Sequence, residues 1–132
     1  RKESSAASDV YKRQELFIES GFENISIFDP IYGNNPEVFR EKYDFVTCCE
    51  VIEHIIDLGQ DLEQLFGLLK PGGLLVISTG IWKFKDDFSS WYYIQDITHI
   101  NLFSFKSLEY LEHKFNCKLD YLDKDLISFL KK

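Results

Sequence analysis

Residues 43–80, YDFVTCCEVIEHIIDLGQDLEQLFGLLKPGGLLVISTG, constrain the fold more than any other stretch. Residues 43–48 form a short apolar, β-branched run with a charge at its start, the pattern of a buried parallel strand. Glu50, Glu53 and His54 arrive together where that strand should end. A helical spacing follows, with Leu58, Leu62, Leu65, Phe66 and Leu69 at i, i+4, i+7, i+8 and i+11. Lys70-Pro71-Gly72-Gly73 stops it, because proline cannot continue a helix and glycine permits positive φ. Residues 74–78 are a second continuous apolar strand. Two buried strands joined by an amphipathic helix predict a right-handed, parallel βαβ unit. Polar residues just past the carboxyl ends of such strands line the ligand crevice, which puts Glu50, Glu53, His54, Thr79 and Gly80 on one rim.

The remaining chain is read around that unit. Residues 1–13, RKESSAASDVYKR, carry little apolar content and are read as a non-native or disordered leader before a domain spanning 14–132. Residues 15–20 end a helix that Gly21 stops, and residues 25–28 make a short strand closing on Asp29-Pro30. Asp-Pro can also simply open a turn. Residues 31–42 are a polar connector with a helical turn near 37–41, and residues 81–90 are a loop. Phe88, Trp91, Tyr92 and Tyr93 then stand beside Asp96-Ile97-Thr98-His99, an aromatic wall next to polar groups that suits an apolar or planar ligand. Ser104 caps a helix to about Lys114, and residues 117–122 and 126–130 form a hairpin around Asp123-Lys124-Asp125.

Composition removes several classes of function. A hydrophobic content of 45% and an aromatic content of 16% are those of a folded globular protein rather than a disordered one. A net charge of −7 leaves no basic surface for nucleic acid. No apolar run spans a bilayer and no secretory signal opens the chain. The three cysteines fit neither a disulfide framework nor a zinc spacing, so buried, reduced thiols and a cytoplasmic location are expected.

The acidic-hydrophobic-hydrophobic-Glu-His run, the helix and the Lys-Pro-Gly-Gly turn together resemble class I S-adenosylmethionine-dependent methyltransferases. Within them the chain is most similar to the quinone-biosynthesis O-methyltransferase-like group, and the segment 91–99 with Phe103-Ser104 resembles a branch of it. The resemblance implies a Rossmann-like sheet, mostly parallel, closed by an antiparallel hairpin. It also implies S-adenosyl-L-methionine as cofactor and a small-molecule acceptor, with a hydroxyl oxygen favoured. Asp29 matches the acid that binds the cofactor ribose, a carboxylate accepting two bonds from a vicinal diol. Cys49, Glu50 and Val51 match further cofactor contacts, and Trp91, Tyr92, Asp96 and Thr98 line the acceptor side. The family's first strand and its glycine-rich loop have no counterpart in the sequence. The chain by itself is therefore expected to be inactive and not to bind the cofactor, with activity belonging to a parent protein.

Glu50, Glu53 and His54 have i, i+3, i+4 spacing and would share one face of a helix. Two carboxylates and an imidazole there can bind a hard cation such as Mg²⁺, as the resemblance also implies, or the glutamates can simply stabilise a helix N-terminus. Methyl transfer asks mainly for alignment plus deprotonation of a hydroxyl acceptor, for which His99 is the first candidate base and His54 the second. Two other classes compete. A non-catalytic α/β binding or scaffolding domain would lack the cofactor site. A nicotinamide-dependent dehydrogenase is suggested only by Tyr110 and Lys114 at Tyr-x-x-x-Lys spacing.

Overall fold

In a computed structural model, residues 2–29, 34–83 and 87–132 are described, with side chains from Tyr11 onward. The chain divides into two units, residues 1–41 and 42–132, each described by itself.

In the first unit, helix α1 spans Lys2–Glu19 and runs unbroken through the expected leader boundary at residue 13. Gly21 ends it at φ +86°, a backbone conformation that glycine reaches without a Cβ penalty. Gly21 N–H donates to the Ile18 carbonyl and Phe22 N–H to that of Phe17, both at 3.0 Å. The Phe17 and Phe22 rings meet edge to face at 5.4 Å, completing a Schellman stop. Residues 25–28 do not form the expected strand; only Asp29 makes an isolated bridge. A strand exists only as part of a ladder, and none forms on 25–28 among the described residues. A 3₁₀ turn, Pro36–Arg40, follows, capped by the Asn35 side chain accepting from Glu37 N–H. Pro30 and residues 31–33 of the expected connector lie outside the described residues.

In the second unit, strand β1 (Tyr43–Cys49), helix α2 (Leu58–Gly67) and strand β2 (Leu69–Ser78) form the expected parallel unit. Asp57 starts α2 by accepting from Gln60 N–H at 3.2 Å. Leu62 and Phe66 are buried, whereas Leu69 already belongs to β2. Lys70-Pro71-Gly72-Gly73 is thus not a turn before the strand but a bulge inside it, between the pairs Tyr43–Leu69 and Phe45–Leu74. Gly72 turns at φ +76°, and a Cβ on Gly73 would lie 2.9 Å from the Lys70 carbonyl.

Two residues expected in a loop, Ile81–Trp82, form strand β3, which pairs in parallel with β4 (Phe103–Ser104). Ser104 then starts α3 (Phe105–Lys114), its N–H donating to Ser107 Oγ. The hairpin of β5 (Cys117–Asp123) and β6 (Leu126–Lys131) forms as expected, with Lys124 at φ +53° in its turn. The main sheet has the order β1-β2-β6-β5, and only β1–β2 is parallel. The expectation of a mostly parallel sheet is therefore corrected: residues 25–28 add no strand, and the hairpin supplies half of the four. The core lies where α2 and α3 cover this sheet. Phe66 stacks on Phe115 at 4.2 Å and meets Phe129 edge-on at 5.3 Å.

Candidate functional site

The parallel pair ends at Cys49 and Ser78, and the chain beyond both ends is polar. Glu50 turns the backbone sharply at φ +52° while its N–H donates to the Ser78 carbonyl at 2.8 Å. A short 3₁₀ turn, Ile52–His54, follows rather than an α-helix. With Glu50 in the left-handed region outside that turn, the expected shared helical face does not form. Ile52 and Glu53 point inward and His54 faces out.

Asn101 clamps this turn. Its Nδ2 donates to the carbonyls of Ile52 (3.0 Å) and Ile55 (2.6 Å), and the Ile100 and Asn101 N–H groups both donate to the Glu53 carbonyl. The clamp brings the segment 91–99 against the end of β1.

Glu53 is 0% exposed. Its Oε2 accepts from the equally buried Thr79 Oγ1 at 3.0 Å, and Thr79 also pairs with the Tyr93 hydroxyl at 3.1 Å. Its Oε1 is enclosed without a hydrogen-bond partner among the described residues and lies 3.8 Å from His54 Nε2. Glu50 adjoins this network, with Oε1 accepting from Ser78 Oγ (2.9 Å) and Oε2 from the Tyr93 hydroxyl (3.4 Å), and its carboxyl also bonds that of Glu53. Desolvation, and after it the neighbouring Glu53 carboxyl, raise the Glu50 pKa against the Ser78 bond. Burial pushes the Tyr93 hydroxyl up to about 12.

The two histidines are fixed alike. His54 Nδ1 lies 3.0 Å from the Thr98 carbonyl and His99 Nδ1 2.7 Å from that of Tyr93. A carbonyl only accepts, so each Nδ1 carries a proton, and Nε2 is the ring atom left to face a carboxylate or a ligand. The rings stand 4.9 Å apart, and His99 also packs on the Tyr93 ring at 4.0 Å. Asp96 Oδ1 accepts from Thr98 N–H and Oγ1, bonds that hold its carboxyl below the usual range, while Oδ2 lies 3.7 Å from His99 Nε2.

One ligand atom each from Glu53, His54 and His99 lies within 4.8 Å of the others. This set is not the expected Glu50, Glu53 and His54. It offers one carboxylate oxygen and two imidazole nitrogens, a poor donor set for Mg²⁺, which prefers oxygen.

Of the other expected residues, Cys49 closes β1 half-buried and Val51 is exposed beside it. Cys48 is buried, and desolvation lifts its thiol to about 12, an inert structural cysteine. Trp91 stacks on Tyr93 at 5.2 Å, whereas Tyr92 is 68% exposed. Asp29 belongs to the first unit. Asn101 is the organising residue that sequence reasoning missed, and Tyr93, expected only as part of the aromatic wall, also joins Thr79 and Glu50 through its hydroxyl. Its ring packs so closely on Gly80 that a Cβ there would come within 2.7 Å. Nothing in the sequence marks Asn101, whose partners lie about fifty positions away.

Comparison with known proteins supplies the family. A family model described as a methyltransferase domain matches residues 7–122. A protein of Bradyrhizobium diazoefficiens named ubiquinone biosynthesis O-methyltransferase is 48% identical over 40 residues, 30% of this chain and 16% of that protein. One of the same name from Rhodopseudomonas palustris strain BisB18 is 34% identical over 75 residues, 57% of this chain and 26% of that protein. The chain thus spans about a quarter or less of the length of these curated relatives. With residues 7–122 fitting that model and a polar cluster gathered at the ends of its parallel strands, the chain belongs to the methyltransferase domain family.

Proposed function

We propose that the protein transfers a methyl group from S-adenosylmethionine to a small-molecule acceptor, at a hydroxyl oxygen. The observation that carries this is the convergence of Glu50, Glu53, His54, Tyr93 and His99 beyond the carboxyl ends of β1 and β2, in a chain of this family. The relatives' name, ubiquinone biosynthesis O-methyltransferase, supports oxygen as the accepting atom. In this reading the sheet is Rossmann-like, the protein is cytoplasmic, and no helix among the described residues is long and apolar enough to cross a membrane.

Asp29 would bind the ribose, and Cys49, Glu50 and Val51 would line the cofactor at the end of β1. Trp91, Tyr92, Asp96 and Thr98 would border the acceptor. Bound cofactor supplies a sulfonium methyl, a good leaving-group arrangement that leaves little covalent work to side chains. His99 Nε2 would take the acceptor's hydroxyl proton, readying that oxygen for the methyl group that bound cofactor would supply. Its Nδ1–H bond to the Tyr93 carbonyl fixes the tautomer that this step needs. His54 is the second candidate base.

In the whole protein, Asp29→Ala is expected to weaken cofactor binding at least about tenfold, and His99→Ala to lower turnover more than cofactor affinity. Calorimetry with S-adenosylmethionine and a methyl-transfer assay read these separately. Unchanged affinity in Asp29→Ala removes the ribose assignment. Absence of any saturable cofactor binding favours a non-catalytic binding domain.

A further inference from the structure

We propose that the cleft between α2 and α3 is a binding site for a small amphipathic carboxylate, an acyl or aryl group carrying one negative charge. The cleft encloses about 340 Å³, within the range of small-ligand sites. Leu58 and Leu62 of α2, with Leu111 and Phe115 at the end of α3, supply its apolar walls. Among the described residues that line it, Lys114 is the single charged side chain, in a chain whose net charge is −7. Apolar walls with one cation at their edge fit a ligand with an apolar body and an anionic head. Tyr110 and Lys114, the Tyr-x-x-x-Lys pair of the sequence, both line the cleft, one helical turn apart on α3. Their hydroxyl and ammonium are the donors that a carboxylate head takes.

Two further features keep the cleft able to take such a ligand. Gly59 stands in its wall, in the first turn of α2, and a Cβ there would meet nothing nearer than Asp57 Oδ1 at 4.0 Å. Packing does not require glycine at this position, and alanine is the better helix former. Glycine leaves the wall open. The Lys114 side chain is only 33% exposed, its stem lying along the apolar wall with Nζ 5.4 Å from the centre of the Phe115 ring. Its ion pair with Glu63 is long, at 3.6 Å, and that carboxylate is 66% exposed, so the pair contributes little and a ligand carboxylate can take its place. Ser107 Oγ accepts from Ser104 N–H at 3.2 Å, which leaves Tyr110 and Lys114 as the head-group donors. The cleft shares no residue with the methyl-transfer reading, and its test uses neither cofactor nor acceptor.

The test is a nuclear magnetic resonance titration of the whole chain with octanoate, and with octanol as its uncharged match. Octanoate is expected to shift the methyl resonances of Leu58, Leu62 and Leu111 saturably, with a Kd of about 1 mM or below. Octanol should bind at least about threefold more weakly, and Lys114→Gln should abolish that preference. Gly59→Leu should abolish saturation by filling the cleft, and since a side chain at 59 meets open space the variant keeps its fold. Absence of saturation below about 10 mM overturns the site. So does octanol within about threefold of octanoate, which marks an apolar surface without a head-group partner. Shifts centred on the rim at His54 and His99, or unaltered binding in Gly59→Leu, overturn its location.

Discussion

Thr79→Val tests the buried network at its centre. The Thr79 hydroxyl donates to Glu53 Oε2 at 3.0 Å and meets the Tyr93 hydroxyl at 3.1 Å. Thr79 and Glu53 are both 0% exposed, so water cannot replace a lost bond. Leaving the buried Glu53 oxygen without its donor costs about 1–3 kcal/mol, and the contact with Tyr93 adds about 1 kcal/mol. Valine keeps the shape and adds an apolar methyl, which returns up to about 0.8 kcal/mol. The net expectation is a destabilisation of about 2–3 kcal/mol, read by urea denaturation followed by circular dichroism at neutral pH with the slope unchanged. Adding Glu53→Leu should cost less than the sum of the two single changes, because the double variant leaves no orphaned carboxyl. A Thr79→Val loss below about 0.5 kcal/mol, or strict additivity with Glu53→Leu, would refute the buried coupling.

Two further predictions concern the same rim. Gly80→Ala puts a Cβ 2.7 Å from the Tyr93 ring, so the ring must move; a loss of about 1–3 kcal/mol is expected, with a changed tryptophan emission because Trp91 stacks on Tyr93. Unaltered emission and melting together would show that the ring is not packed there. Glu50 has a raised folded-state pKa, so its contribution to stability is present below its unfolded value near 4.5 and is lost as pH rises through the raised value. Glu50→Gln should flatten the decline of stability above about pH 4.5, and an identical pH profile in variant and parent would contradict it.

Much of the architecture was legible because it rests on local physics. Apolar runs of strand length, Asp57 as a helix cap, Gly21 as a helix stop and the turn at Asp123-Lys124-Asp125 each act within a few residues. The rim was legible as well, since strand ends in a parallel pair place Glu50, Glu53, His54 and Thr79 together whatever follows. Where sequence reasoning failed, the deciding partner lay far along the chain. Residues 25–28 have strand composition, but a strand needs a ladder and none forms on them. Lys70-Pro71-Gly72-Gly73 reads as a turn, yet pairing of Leu69 with Tyr43 draws it into β2 as a bulge. The i, i+3, i+4 spacing of Glu50, Glu53 and His54 presumed a helix that the left-handed Glu50 prevents. Sequence by itself therefore determined the parallel unit, the last helix and the closing hairpin, the family resemblance and several residues near the site. Only the tertiary structure decided that Glu53 is buried on Thr79 and that His99 comes beside His54, because Asn101 and Tyr93 impose that grouping through bonds and packing that no local pattern encodes.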